Sequence, residues 1–481
     1  MELNSSETNR NPLVESHNNG ADKKWWDKVL DLQEAKDQIL FSLPMILTNL
    51  CYYLIPIISV MFAGHFGDLQ LASSNLANSW SVVSGFSFLV GLSGALETLC
   101  GQSYGAKLYG MMGVYLQANC ILSTLFSVLI SILWWYSDII LIALHQDPSI
   151  AKLAGTYLIY LIPGLFAYGY LNNMLRFLQT QSVIIPLVWC SVAPLLVHIG
   201  ICYALVHWTA LGFKGPALAV SLSFWLSVFM LAFYILCAKR FEKTWEGFSL
   251  DSFHRIFGNL KLGLPSAGMV CLEYWAFEIL VILSGLMPNS EITTSVIAMC
   301  VNTEGICYMI AYGLSAAAST RVSNELGSGN VGRAKHAVSV TLKLGLLLAL
   351  IVDLALGLGH DAFAGLFSNS KVIIDGYTSV VPFLMLSILL DFNQGVLSGV
   401  ARGCGWQHLA FGINLGAFYL VGMPIAAVLA FKLKLYAKGL WIGLVCGLFC
   451  QSACLLLLTL IIKWEKIDLS SQGSNEIQVL V

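Results

Sequence analysis

The sequence predicts an all-α, polytopic membrane protein of twelve transmembrane helices arranged as two six-helix repeats. Three observations carry that prediction. Charged residues make up 11% of the 481-residue chain beside 57% hydrophobic ones, whereas a soluble chain carries about a quarter charged residues. Nearly uncharged segments of about 20 residues, the length that crosses a bilayer core as a helix, recur along the whole chain. A pattern of small residues and loop signals in the first half returns in the second, with Gly91 answered by Gly313.

Taken in order, the spans run at about 41–63, 75–97, 113–136, 153–175, 183–206, 215–237, 262–287, 292–318, 337–359, 372–397, 409–431 and 439–462. They are continuous apolar runs without two-residue alternation, which specifies helices and not an outer-membrane barrel. Residues 1–38 are polar and charged, with no short apolar core near Met1, so no cleavable signal peptide is expected. These residues form an N-terminal tail, followed by a first lobe over 39–237, a loop over 238–261, a second lobe over 262–462 and a tail over 463–481.

Twelve spans put both termini on one side. The tails and alternate loops hold 18 of the 25 Lys and Arg residues, the other loops hold 6 and Lys343 lies within a span, so the tails and the 238–261 loop are expected to be cytoplasmic. Three lysines in "FKLKLYAK", between the last two spans, are the exception. A net charge of -2 and the lack of a basic tract give no sign of nucleic-acid binding. Thirteen cysteines lie scattered without CxxC spacing and read as packing residues, not a metal or disulfide framework.

The repeat is detailed. "GLSGALETLCGQSYGAKLYG" from Gly91 and "GLSAAASTRVSNELGSGNVG" from Gly313 each follow a span and enter a Gly-rich loop. At nearly the same offset Leu43-Pro44 falls on Leu264-Pro265, Gly64 on Gly285, Pro163 near Pro382 and Gly215 near Gly439. Small residues are common in membrane helices, but an ordered series at one offset marks duplication. Two units of like orientation, related by an axis along the membrane normal, form a transporter architecture with a midplane cleft.

The two halves then serve as controls for each other. Glu273 falls opposite Tyr52, Glu278 opposite Ile57 and Asp391 opposite Asn172, so these acids are not needed to build the lobe. An acid at the bilayer centre normally faces a protein interior or wet cavity and marks an ion or proton route. Burial favours the neutral acid and a bound cation favours the carboxylate, so proton and cation compete for such a site. If the two ligands favour different conformations, competition becomes exchange. Glu273, near the middle of its span, and Asp391, in "LLDFNQGVLSG" beside Asn393, Gln394 and Gly395, are the expected coupling pair.

Glu278 is five residues after Glu273, about 140° around a helix, so the two are not expected to face one cavity squarely. It reads first as a hydrogen-bonded interhelical acid. Glu304, midway along its span with Asn302 nearby, reads either as a substrate contact or as helix glue. Asp353 is expected to reach the interface, and Glu97 and Asp138, at span ends, to be solvated. Tyr274, Trp275 and Phe277, with Tyr52 and Tyr53 across the repeat, suit bulky lipophilic cations through cation-π contact, or belt the interface. Asn172 and Gln394 complete the candidate lining.

Enzyme motifs are absent. The sequence has no GxxxxGK[ST] phosphate cradle and no HExxH pair, and "GSGNVG" at Gly327 follows a membrane span and not a strand.

"GLSAAASTRVSNELGSGN" (313–330), "GLSGALETLCGQSYGAK" (91–107), "VARGCGWQ" (400–407) and "CLEYWAFEILVILSGLMPN" (271–289) closely resemble the plant-type multidrug and toxic compound extrusion (MATE) transporters, the DETOXIFICATION proteins. The resemblance spans about residues 28–464. It implies a V-shaped, two-lobed antiporter that exports organic cations, alkaloids, flavonoids or other specialised metabolites in exchange for protons. It also implies coupling through the acids at Glu273 in the seventh helix and Asp391 in the tenth. Relatives coupled to sodium carry an aspartate in the first helix; this sequence has no acid between residues 38 and 67, which favours protons. The expectation is a monomer in the lipid bilayer of the plasma or vacuolar membrane, with small organic molecules and protons as ligands. No cofactor is expected beyond the proton gradient that supplies energy. An organic-anion exporter of the same fold and a lipid-precursor flippase are the alternatives; the flippase predicts extra spans and a cationic central cavity.

Overall fold

The computed structural model describes residues 31–367, 370–462 and 464. Every regular element among them is helical, and twelve helices are long and apolar enough to cross a bilayer: Leu32–Gly64, Asp68–Gly105, Tyr109–Trp135, Pro148–Thr180, Ile185–His207, Gly212–Cys237, Asp251–Ser284, Ser290–Gly327, Val331–Gly365, Val381–Cys404, Gln407–Lys432 and Tyr436–Ile461. They are called the first to the twelfth helix below. Short connections between successive helices send the chain back and forth, so residue 31 and residue 464 lie on one face, the tail face.

The helices outrun the apolar segments that predict them, because their polar ends continue past the hydrocarbon length. The first helix begins at Leu32, inside the segment read as a tail, with Asp31 as its N-cap accepting from the backbone N–H groups of Gln33 and Glu34. The seventh begins at Asp251, so the second half of the expected 238–261 loop is helical. The tenth begins at Val381, nine residues later than expected, with Pro382 in its first turn, where a missing N–H costs no helical bond. A separate short helix, Lys371–Thr378, precedes it.

Lipid-facing positions stay apolar and exposed, among them Leu129, Phe229, Phe233, Leu358 and Leu460. Buried apolar side chains form two clusters. One draws on residues 45–267 plus Ala316, the other on residues 269–464 plus Ala35. The packing therefore divides the chain within the seventh helix, whose Leu262 and Ala267 belong to the first cluster. The second helix joins the halves, packing against both the seventh and the eighth.

Two irregularities position the cavity described next. Val82–Phe86 is a π-helical turn inside the second helix, and such turns free backbone groups from the ladder. The carbonyl of Val83 accepts from Trp275 Nε1 at 2.9 Å, tying the turn to the seventh helix. Pro265 inside the seventh helix removes one ladder bond below Glu273.

Candidate functional site

A cavity of about 330 Å³ lies between the halves, lined by four acids, Glu273, Glu278, Glu304 and Asp391, together with Asn75, Asn78, Asn302, Tyr53, Tyr274 and Tyr308. A second hollow of about 150 Å³ adjoins it and shares Tyr53, Tyr274 and Tyr308. Its further lining includes Tyr52, Tyr168, Asn172, Phe224 and Tyr312. Together they make one chamber with an acidic wall from the second half and an aromatic wall from both. No Lys or Arg is among the described lining residues of either part.

The acidic wall is built on three helices. Glu273 on the seventh is 9% exposed, Glu304 on the eighth 2% and Asp391 on the tenth 2%. Gln394, one turn beyond Asp391, donates from Nε2 to Glu273 Oε1 at 2.8 Å and to Asp391 Oδ1 at 2.7 Å. Ser398 donates to Gln394 Oε1 at 3.0 Å, which fixes the amide's orientation. Two carboxylates thus share one neutral donor in apolar surroundings. Both cannot stay charged there without a positive partner, and a proton or a ligand cation is the group that fits.

Glu304 is held differently. Its Oε2 accepts from Ser387 Oγ at 2.7 Å, and Ser387 itself takes a hydrogen bond from Trp441 Nε1 at 3.2 Å. Oε1 is buried without a partner, an expensive state that points towards a ligand. Asn302, two residues before it on the same helix, also lines the chamber.

The structure brings Glu273, Asp391, Glu304, Asn302 and Tyr274 to this chamber, whereas Trp275, expected in its aromatic wall, is 40% exposed and lines neither part. Tyr52 is buried and donates to the Cys190 carbonyl at 3.0 Å, and Asn172 donates to the Tyr168 carbonyl at 2.8 Å; both line the aromatic part. Gln394 supports the two acids from behind. Glu278 corrects the helical-wheel expectation: it lines the same chamber as Glu273, with Ser79 of the second helix in the lining beside it. The cleft wraps around the seventh helix, so an angle of about 140° does not remove a side chain from it. Asp353 does not reach the interface; it is buried, with Oδ1 unpartnered.

Sequence reasoning missed the residues below the chamber. Glu97, expected to be solvated, is fully buried. Its Oε1 lies 3.0 Å from Arg176 Nη1 and its Oε2 3.0 Å from Arg402 Nε. Its helix runs two turns past it to Gly105, so an apolar-span end is not a helix end. Two buried arginines near the ends of two other spans were the available signal, since buried cations require anions.

The MatE family model matches the chain twice, over residues 44–204 and 265–428, repeating the internal duplication. The chain is 61% identical over 440 residues to Protein DETOXIFICATION 18 of Arabidopsis thaliana, covering 92% of this chain and 94% of that one. It is 44% identical over 446 residues to Protein DETOXIFICATION 16 of the same plant, covering 93% and 91%. The crystal structure of the eukaryotic MATE transporter AtDTX14 superposes with a TM-score of 0.88 at 40% identity, covering 91% of this chain and 98% of that one.

Proposed function

Because the chain belongs to the MatE family, multi-pass membrane transporters for multidrug and toxic compound extrusion, we propose that it is a proton-coupled antiporter that exports organic cations or specialised metabolites by alternating access. Glu273 and Asp391 are its shared proton and cation site. The observation that carries this reading is the single amide of Gln394 holding both buried carboxylates at the edge of an aromatic chamber. In that setting a lipophilic cation gains charge pairing and ring-face contact together, and a proton competes with it for the same oxygens.

The tail face is the cytoplasmic one in this reading, which the Lys and Arg distribution supports. The far side is acidic relative to the cytosol, as it is across the plasma or vacuolar membrane. A proton entering there displaces the substrate cation, and proton loss to the cytosol readies the site. One pH unit contributes about 1.4 kcal/mol per proton moved, and 100 mV about 2.3 kcal/mol per charge; either gradient drives accumulation. The protein acts as a monomer without a cofactor. A chamber with four acids and no Lys or Arg among its described lining residues supports cations over organic anions or lipid-linked phosphates.

The test is uptake of a lipophilic cation into proteoliposomes under an imposed pH gradient. Glu273→Gln and Asp391→Asn are each expected to lower gradient-driven uptake at least tenfold. If both leave it intact, the mechanism is wrong.

A further inference from the structure

We propose that Glu97, Arg176, Arg402 and Tyr312 form the gate that closes the tail-face side of the chamber and parts once in every transport cycle. The inference rests on the alternating-access reading above and adds which contacts alternate.

Tyr312 lines the chamber's aromatic part and is its link to the charges beneath. Its hydroxyl accepts from Arg176 Nη2, and its ring lies 5.2 Å from the Arg176 guanidinium and 5.9 Å from that of Arg402. Glu97 and Arg176 belong to the first half of the chain, Arg402 and Tyr312 to the second. The Glu97–Arg402 pair and the Arg176–Tyr312 bond therefore both cross between halves. Further crossings surround them: Gln179 Nε2 donates to the Ala316 carbonyl at 3.2 Å, Gln102 Nε2 to the Gly403 carbonyl at 3.1 Å, and Thr98 Oγ1 to the Arg402 carbonyl.

These contacts tie the two halves together on the tail-face side of Tyr312, so parting the halves there displaces them. Buried pairs of this kind are costly to break by removing one partner, because the other is left charged and dry. They separate at lower cost when both partners are wetted together, which is what parting the halves into the cytosol does. The network also stops short of full compensation: one carboxylate serves two guanidiniums, and Arg176 Nε is buried without an acceptor. It holds the closed state without locking it.

The gate and the coupling acids share one helix. Asp391, Gln394, Ser398 and Arg402 recur on one face of the tenth helix, with Asp391 and Arg402 about 16 Å apart along its axis. Arg402 Nη2 donates to Ser315 Oγ at 2.8 Å, and Ser315 donates to the Gly395 carbonyl at 2.6 Å, beside Gln394.

The test is a distance measurement in lipid nanodiscs. Nitroxide labels are placed at Leu108, in the first half's tail-face connection, and at Arg333, at the tail-face start of the ninth helix, through ketone-bearing amino acids that leave the thirteen native cysteines in place. The parent is expected to give one dominant distance. Glu97→Gln is expected to raise the longer-distance fraction at least tenfold, and Arg402→Lys and Ser315→Ala less. A monodisperse Glu97→Gln protein with the parent's distribution overturns the proposal; should that variant not fold, Ser315→Ala with the parent's distribution does so. The measurement uses neither substrate nor proton gradient, so its failure is distinct from failure of the proton-coupling reading, which uptake by Glu273→Gln and Asp391→Asn decides.

Discussion

Glu273 and Asp391 accept hydrogen bonds from the same nitrogen, Nε2 of Gln394, at 2.8 and 2.7 Å. Glu273 lies 121 residues from that glutamine and Asp391 3 residues from it on the same helix, so the amide fixes the seventh helix to the tenth at the acidic wall. Replacing Gln394 by leucine keeps the volume and removes the donor from both carboxylates. Loss of a donor to a buried polar group costs about 1–3 kcal/mol. Gln394→Leu is therefore expected to lower gradient-driven uptake roughly tenfold or more while the protein still elutes as one species. Uptake at the parent rate would show that the amide does not organise the pair.

The aromatic wall makes a separate prediction. Tyr308 lines both parts of the chamber. A cation over an aromatic face gains about 0.5–2 kcal/mol, which corresponds to roughly two- to thirtyfold in affinity. Tyr308→Leu is expected to weaken binding of a flat lipophilic cation within that range, measured by titration calorimetry, whereas Tyr308→Phe keeps the ring and stays within about twofold. Equal losses in the two variants would assign the effect to the hydroxyl instead.

The sequence made the architecture legible because the bilayer imposes it. A segment of about 20 apolar residues has one structural solution in lipid, and the offset linking Gly91 to Gly313 exposes the duplication. Glu273 and Asp391 were legible because an acid at depth is rare. Glu97 was not, because hydropathy marks where lipid ends and not where burial ends: the second helix continues to Gly105 inside protein. Nor was Glu278, since a helical wheel assumes a cavity on one side only, and this chamber wraps the helix.

Close approach of the two halves gives a stability prediction. A Cβ added at Gly327 would fall on the Gln102 carbonyl, and one at Gly105 on the Asn324 carbonyl, so backbone meets backbone where the second and eighth helices cross. Overpacking costs about 1–3 kcal/mol, while replacing glycine by alanine inside a helix returns up to about 1 kcal/mol. The steric cost wins. Gly327→Ala is expected to lower the thermal midpoint in detergent, and Gly332→Ala, with open space around its Cβ position, to leave it level or raise it. A rise for both would show that the crossing yields easily.

The first helix reaches from the first half onto the second at the tail face, and its N-cap should make that contact pH-dependent. Glu34 takes two hydrogen bonds from Arg321, at 2.9 and 2.7 Å, and Asp31 Oδ2 lies 3.1 Å from His336 Nε2. Partial burial pushes the Asp31 carboxyl up; bonds from the Glu34 N–H, His336 and the Gln33 N–H outweigh it and hold the group below its usual range. A depressed value stabilises the folded state above the unfolded value of about 3.9, and the contribution is lost as pH falls through the folded one. Asp31→Asn keeps a competent cap and removes the charge. At pH 7 it is expected to be less stable than the parent by at most about 1 kcal/mol, since Asp31 is substantially exposed and screened by salt. Thermal unfolding followed from pH 7 downwards should show the difference shrinking below about pH 4. A difference that stays constant to pH 3 would place its origin in packing at the cap and not in charge.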